Sequence, residues 1–294
     1  MSFASRDFLI PLVSDQAVSA GWTQATGRRP LGVTWHWTAT WDLALCRRVL
    51  GGAHPERKGE ASAHYGIGRT HAEGIDRYVT LANRSWHAGK GQLCRHDGTP
   101  FTDQVAQKGS RTTVGIETVN IGYARQGVAA RPDWIRVART NSKDIVRVQH
   151  WTDEQIEMMI AVGQEIITTF SHIRPRDHHG HHDICPGYKD DVIGFPFAVV
   201  LRGIYQTAAI PDVWTPTMFP AQRQRILIAL GHDLGVTGAD GSWGNKSQTA
   251  LVAFQRAQGL QPTGHWSTFV SWKAHDLLAA AGKDLATVAQ GEAP

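Results

Sequence analysis

The chain has 294 residues, of which 41% are hydrophobic and 19% are charged, and its formal net charge is +4. These values exclude wholesale disorder and leave room for one large domain, or for a large domain and a small module. The mild positive charge is compatible with an anionic polymer as partner. The sequence has no block of Lys and Arg with interleaved aromatic residues, so we expect no nucleic-acid binding.

The N-terminal sequence MSFASRDFLIPLVSDQ lacks a basic segment followed by a continuous apolar stretch, so we expect no signal peptide. No run approaches the roughly 18 apolar residues of a membrane-spanning helix, so we expect no membrane insertion. Cys46, Cys94 and Cys185 are scattered and odd in number, which argues against a disulfide framework and a CxxC zinc cluster. We therefore expect synthesis in a cytoplasm, and any action outside would require release by a route other than general secretion.

The first clear element is a strand predicted over residues 31–38, LGVTWHWT. One face would carry Val33 and Trp35 and the other Thr34 and His36, and this period of two is typical of a strand. Further strands are predicted at residues 62–68, 76–82 and 112–119, with a long loop at roughly 83–111.

A helix is predicted over about residues 153–171, with Thr152 as N-cap and Gln155 as its capping-box partner. Its buried stripe would consist of Ile156, Met159, Ile160, Ile166, Ile167 and Phe170. Strands mixed with helices predict an α/β fold, a mixed central β-sheet flanked by helices, in a domain spanning residues 1–205.

A change of composition marks a second unit. Residues 206–220 hold three prolines and few charges, which predicts a linker. Residues 221–282 read as three short helices around a glycine-rich turn, so we expect a small three-helix all-α domain near the lower size limit for a self-standing core. Residues 283–294 are predicted to be a flexible tail.

The stretch DHHGHHDICPGYKDD, residues 177–191, contains four histidines, one cysteine and four aspartates. A catalytic zinc ion usually takes three protein ligands and keeps a fourth position for water. This stretch supplies two ligands at most without crowding, so a third has to come from elsewhere. His36, on the polar face of its strand, is a candidate, and a hydrogen-bonded core histidine is the alternative.

Five motifs occur in order along the chain, namely VTWHWT, SAHYGIG, SWHAG, VGIE and GHHDICPGYKDD. Over about residues 30–200 they resemble the AmpD-type (type 2) N-acetylmuramoyl-L-alanine amidases, relatives of phage amidase endolysins and animal peptidoglycan-recognition proteins. The resemblance implies a hydrolase with one Zn2+ ion and peptidoglycan as its substrate. The bond cut would join the lactyl group of N-acetylmuramic acid to L-alanine of the stem peptide.

The family pattern around the last motif is G-H-x-D-I-x-P-G-x-K-x-D. By this resemblance the metal ligands fall on His36, His181 and Asp191. The lysine of the pattern falls on Lys189, which would stabilise the oxyanion of the transition state.

Other residues of the motif are less clearly assigned. His182 and Cys185 take variable positions and are expected to be bystanders. Asp183 would act behind the ligands as an acceptor for a ligand imidazole, or else cap a loop. The family often has Pro-Gly after the ligand aspartate, but a Val-Ile pair follows here, which leaves Asp190 and Asp191 both open.

Glu117, in VGIE, matches the family's catalytic glutamate, which would accept a water proton and pass it to the leaving amine. An exposed strand carboxylate is the alternative. Other relatives carry a catalytic tyrosine where this chain has Ala63, which leaves that work to Glu117. His64 is expected to be buried and hydrogen-bonded, whereas Trp86 and His87 of SWHAG either bind substrate in the groove or pack a loop.

The C-terminal stretch ALGHDLGVTGADGSWGNKSQTALVAFQRAQGLQPTGHWS is similar to the common three-helix peptidoglycan-binding domain. The resemblance covers about residues 221–280 and implies a tether that raises the local substrate concentration. Trp243 and Trp266 would face sugars or lie in the core. A small helical packing domain is the alternative for the whole unit.

The leading interpretation is an endolysin-like, monomeric amidase that is made in the bacterial cytoplasm and acts on the cell wall after release. A cytosolic muropeptide-recycling amidase would share every catalytic residue, but soluble fragments need no wall-binding module. A non-catalytic peptidoglycan-recognition protein is a further alternative, against which the retained ligand, glutamate and lysine positions argue. A nucleic-acid binder would rest on charge alone.

Overall fold

The computed structural model describes residues 13–50, 61–89, 108–213 and 218–291. Cys94 and much of the predicted loop at 83–111 lie outside these residues. The strands of the described part are β1 Val13–Asp15, β2 Trp22–Thr23, β3 Gly32–Trp37, β4 Tyr65–Ile67, β5 Ile75–Arg77, β6 Arg84–Ser85, β7 Thr113–Thr118, β8 Ile135–Ala138, β9 Ile145–Val148 and β10 His178–Gly180. The helices are α1 Leu43–Leu50, α2 Lys108–Thr112, α3 Asp153–Thr169, α4 His181–Ile184, α5 Phe197–Ile204, α6 Pro220–Ala229, α7 Asn245–Ala257, α8 Thr268–Ala280 and α9 Leu285–Gln290.

The central sheet has the strand order β1-β5-β4-β7-β3-β10. It is mixed, as predicted, because β3 pairs in parallel with β7 and β10 whereas β4 and β5 are antiparallel. The predicted strands at 31–38 and 112–119 correspond to β3 and β7 at the centre of the sheet. The strands predicted at 62–68 and 76–82 are shorter in the structure, and β10 and the β8–β9 hairpin had no sequence prediction.

Helix α3 begins where the sequence predicts, since the Thr152 hydroxyl accepts a hydrogen bond from the Gln155 backbone N–H at 3.1 Å. The capping-box prediction for the Gln155 side chain is wrong. Its amide instead donates to the Val119 carbonyl at 2.9 Å and ties α3 to the end of β7. Among the described residues, no helix is both long and apolar enough to cross a membrane.

One face of the central sheet forms the main hydrophobic core. Trp35 of β3 and Ile116 of β7 are fully buried there, together with Met158 of α3 and Leu201 of α5. Because successive side chains of a strand point to opposite faces, the residues next to Trp35 and Ile116 face the other side of the sheet.

Helices α6 to α9 form the C-terminal unit around a second core, in which Trp243 and Trp266 are both buried. Helix α9 buries Leu285 and Ala289 where the sequence analysis predicts a flexible tail, so a fourth short helix follows the three predicted ones. Trp272 of α8 belongs to the main core of the N-terminal domain, and the two units are therefore in contact.

Candidate metal centre

The register of the central sheet brings two of the predicted site residues onto one face. His36 of β3 lies directly opposite Glu117 of β7. Their neighbours Trp35 and Ile116 are in the core, so both side chains point away from it. This arrangement agrees with the orientation predicted for Glu117, which is half-buried.

The histidine-rich stretch approaches His36 from the neighbouring strand. β10 pairs with β3 and ends at Gly180, which is the N-cap of α4 and places His181 at the first position of this helix. A side chain at Gly180 would bring its Cβ to 2.6 Å from Cε1 of His182, so the His182 ring would have to move to admit any other residue. The chain returns at Asp191, whose carbonyl accepts from the His182 backbone N–H at 2.6 Å.

Three potential ligand atoms meet at this point. The His36 and His181 Nδ1 atoms are 3.0 Å apart, and the Asp191 Oδ2 atom lies 3.1 Å from the first and 2.9 Å from the second. All three residues are buried, and within the described part of the chain they are the group that could hold a metal ion. Such close spacing suits three ligand atoms that surround the same zinc ion, each at about 2.0–2.2 Å from it.

The protonation states of this group also fit a cation. Burial alone would raise the pKa of the Asp191 carboxyl. The charges of His181 and His36 and their hydrogen bonds to this carboxyl outweigh burial and hold the pKa well below its usual range. Burial and the neighbouring His181 lower the pKa of His36 to about 4 against the opposing effect of Asp191, and the charge of Lys189 contributes. The site therefore offers a neutral imidazole at His36 and a carboxylate at Asp191, which are the ligand forms that zinc binds.

A hydrogen-bonded chain behind His36 determines its tautomer. His87 Nε2 lies 3.3 Å from both the carbonyl and the hydroxyl of Thr113. The carbonyl can only accept, and the hydroxyl donates its hydrogen to the Gly109 carbonyl at 2.7 Å, so His87 Nε2 carries the hydrogen of this contact. Since burial and the nearby His36 keep the pKa of His87 well below its ordinary value, the ring is neutral and its Nδ1 is an acceptor. His36 Nε2, 2.9 Å from that atom, is consequently the donor, and His36 Nδ1 keeps a lone pair for a metal.

Gly115 of β7 makes room for this chain. A Cβ at this position would lie 2.1 Å from Cγ of His87, well inside contact distance. The SWHAG motif points to His87 as a residue of the groove or of a packed loop. Its place behind His36 depends on contacts between distant segments, which the motif does not reveal.

The two adjacent aspartates have different partners. Asp190 forms a bidentate ion pair with Arg139, at 3.1 and 2.7 Å, and lies 3.3 Å from the Tyr123 hydroxyl. Asp191 contacts the two histidines. The structure thus brings Asp191, and not Asp190, to the candidate metal centre.

Other residues of the predicted site lie further out. Asp183 pairs with Nε2 of His182 at 3.1 Å, and not with an imidazole of the candidate ligands. Lys189 is half-buried beside the centre, with its ammonium 5.1 Å from the Tyr188 ring centroid. Trp86 donates from its indole to the Thr23 hydroxyl at 2.9 Å.

The predictions for His64 and Cys185 agree with the geometry. His64 is fully buried and hydrogen-bonded, since its Nδ1 lies 2.8 Å from the Ser85 hydroxyl and 3.0 Å from the Gly115 backbone N–H. Cys185 is buried with Ala88 and Ile184 in a small apolar cluster.

Fold and site together define a two-unit protein with a buried His-His-Asp group at its central sheet. The family model described as N-acetylmuramoyl-L-alanine amidase matches residues 26–191, more than half of the chain. The chain therefore belongs to this amidase family, and its substrate is peptidoglycan. A second model, described as a peptidoglycan binding domain, matches residues 221–268. No curated protein sequence matches the chain.

Several solved structures are similar to this one. The N-acetylmuramyl-L-alanine amidase AmiD from E. coli, in complex with an anhydro-N-acetylmuramic acid peptide, has 20% sequence identity and a TM-score of 0.47, with 89% of this chain and 94% of that chain covered. AmpDh3 from Pseudomonas aeruginosa, in complex with an anhydromuramic pentapeptide, has 21% identity and a TM-score of 0.49, with 85% and 91% covered. A mutant endolysin from Bacillus subtilis has 14% identity and a TM-score of 0.39, with 65% and 97% covered.

Proposed function

We propose that the protein is a zinc amidase that hydrolyses the bond between N-acetylmuramic acid and L-alanine in the bacterial cell wall. The observation that carries this proposal is the convergence of the His36 and His181 Nδ1 atoms and Asp191 Oδ2 within 3.1 Å, inside the segment that matches the amidase family. Two imidazoles and a carboxylate are a common donor set for catalytic zinc.

The chemistry follows from the residues around this centre. A bound zinc ion would act as a Lewis acid and lower the pKa of water to about 7. Glu117, opposite His36 on the same face, would accept the proton of the attacking water and transfer it to the leaving amine of L-alanine. The Lys189 ammonium would stabilise the negative charge on the carbonyl oxygen. His87 would hold His36 in the tautomer that keeps Nδ1 free.

The C-terminal unit supports the cell wall as the physiological substrate, because soluble fragments need no tether. We propose a catalytic domain over residues 1–205, a linker over 206–220 and a peptidoglycan-binding domain from residue 221, which would raise the local substrate concentration. Synthesis in the bacterial cytoplasm and later release to the wall fit this arrangement. Trp86, on the segment next to the centre, remains a proposed substrate contact.

The proposal is tested by treating purified peptidoglycan with the full chain after removal of metal. We expect chelation to abolish the release of free N-terminal L-alanine and added zinc to restore it, with mass spectrometry identifying the cleaved bond. His181→Ala should lose both bound zinc and activity. Cleavage by chelated protein, or a metal-loaded protein that never cleaves, would refute the zinc mechanism.

A further inference from the structure

Asp183 joins the metal-ligand loop, defined as residues 180–191, to the C-terminal unit. Its fully buried carboxylate accepts from the Thr268 backbone N–H at 2.8 Å and from the Thr268 hydroxyl at 2.9 Å, where α8 begins. Its other two partners, Gly180 N–H at 2.8 Å and His182 Nε2 at 3.1 Å, lie within the loop itself. A buried carboxylate is tolerated only when its oxygens are bonded, so the C-terminal unit supplies half of what Asp183 needs.

Arg223 of α6 makes a second polar contact between the units. Its fully buried guanidinium donates to the carbonyl of Arg139 at 2.9 Å and to the Ser142 hydroxyl, in the turn between β8 and β9. The backbone N–H of Trp266 also donates to this turn, to the Thr140 carbonyl at 2.7 Å. Burial lowers the pKa of Arg223 to about 9, which leaves it charged at neutral pH.

The turn that Arg223 holds is connected to the far end of the metal-ligand loop. The backbone carbonyl of Arg139 accepts a hydrogen bond from Arg223. The guanidinium of Arg139 binds the Asp190 carboxylate with two hydrogen bonds, at 3.1 and 2.7 Å. Asp190 directly precedes the candidate ligand Asp191. Thr268 therefore contacts the loop two residues after His181, and Arg223 acts through Arg139 one residue before Asp191.

We propose that the C-terminal unit is a clamp on the metal-ligand loop, in which Arg223 and Thr268 are positioning residues for the candidate ligands His181 and Asp191. This inference rests on the proposed function for the identity of the ligands. It assigns the unit a second task, because a tether needs no contact with the loop. The apolar contact of Trp272 with the main core supports a docked unit.

The test compares two pairs of variants in the full chain. Arg223→Met removes every donor of the guanidinium, and its control Arg225→Met changes the same residue type on the same helix, where Arg225 donates to Ala289 O inside the unit. Thr268→Val removes one hydroxyl bond to Asp183. Its control Thr287→Val removes a hydroxyl bond to Asp284 at the start of α9.

Three readouts separate the clamp from the tether. In metal-free protein, hydrogen exchange of the His182 amide, which closes the loop on the Asp191 carbonyl, should be about 10-fold faster in Arg223→Met and Thr268→Val. Zinc affinity, measured by competition with a chelator, should fall by about 10-fold. Turnover of a soluble muropeptide, a substrate that needs no tether, should fall together with the zinc affinity. Both control variants should match the wild type.

The clamp is overturned if both variants exchange this amide at the wild-type rate and keep wild-type zinc affinity while wall binding alone changes. Should circular dichroism show that Arg223→Met does not fold, the milder Thr268→Val and its control decide. Failure of the proposed function looks different. In that case the wild type itself binds no zinc or releases no free N-terminal L-alanine from peptidoglycan, whereas the exchange measurement still tests the clamp.

Discussion

His36 Nε2 lies 2.9 Å from His87 Nδ1, and the other nitrogen of His87 is held by the Thr113 carbonyl. This geometry predicts that His87→Phe, which offers no acceptor, weakens zinc binding by about 10–100-fold, the usual cost of losing a partner behind a metal ligand. Chelator competition measures the change. His87→Asn, whose amide oxygen can take the place of Nδ1, should recover part of the affinity. Equal affinity in His87→Phe and wild type would contradict the assigned tautomer.

The adjacent aspartates provide a matched pair. Asp191→Asn should reduce zinc affinity by more than the roughly 10–100-fold that supporting residues cost, because it removes a ligand charge. Asp190→Asn breaks the ion pair with Arg139 and should cost about 10-fold or less. Zinc content after dialysis and titration with a chelator distinguish the two variants. The opposite ranking would move the ligand assignment by one residue.

Glu117 and Lys189 should affect turnover without affecting metal content. We expect Glu117→Gln to lower kcat by about 10²–10⁴-fold, because it removes the group that carries the proton. Lys189→Met should lower kcat by about 10²–10³-fold through loss of an oxyanion donor. The exposed Lys143 provides a control for removal of a positive charge. Loss of zinc from either variant would show a ligand-positioning role and not a chemical one.

Buried histidines predict an acid-sensitive fold. Burial and the charge of Arg28 lower the pKa of His64 to about 3, and burial and His179 lower that of His178 to about 3. Below about pH 6.5 these two imidazoles bind protons in the unfolded chain but stay neutral in the folded chain. Their contribution to stability is therefore fully present above that pH and is lost as the pH drops towards 3. Each group contributes a slope of about 1.4 kcal/mol per pH unit.

Urea unfolding of metal-free protein between pH 7.5 and 4.5 measures this slope. His64→Gln should lower the pH slope of the free energy of unfolding by the amount that corresponds to close to one proton. We expect this even though the variant is less stable at neutral pH. A free energy of unfolding with the same pH slope in His64→Gln and wild type would show that His64 is protonated in the folded state.

The central part of the fold could be predicted because its signals are local. Strands β3 and β7 alternate with a period of two, and this alternation alone places His36 and Glu117 on the face away from the core. The N-cap of α3 is a similarly local signal. β10 could not be predicted, because His178–Gly180 shows no apolar alternation and is buried through contacts with distant segments, among them β3 and Tyr205.

The supporting residues escaped prediction for a related reason. His87 reaches His36 only because Gly115, on a third segment, leaves space for its ring. The choice between Asp190 and Asp191 depends on Arg139, a residue of a hairpin that the sequence did not reveal. Contacts between distant segments determine these roles, and no motif records them.

The contacts of Asp183 and Arg223 limit which C-terminal units the N-terminal domain can accept. Here a foreign unit grafted after Val213 would have to present a helix start to Asp183 and a guanidinium to the turn that holds Asp190. Without them Asp183 would lose two of its four partners in a buried setting, at about 1–3 kcal/mol for each unsatisfied group. Compatibility of a chimera therefore depends on these two polar contacts and on the Trp272 contact with the main core, as well as on wall specificity.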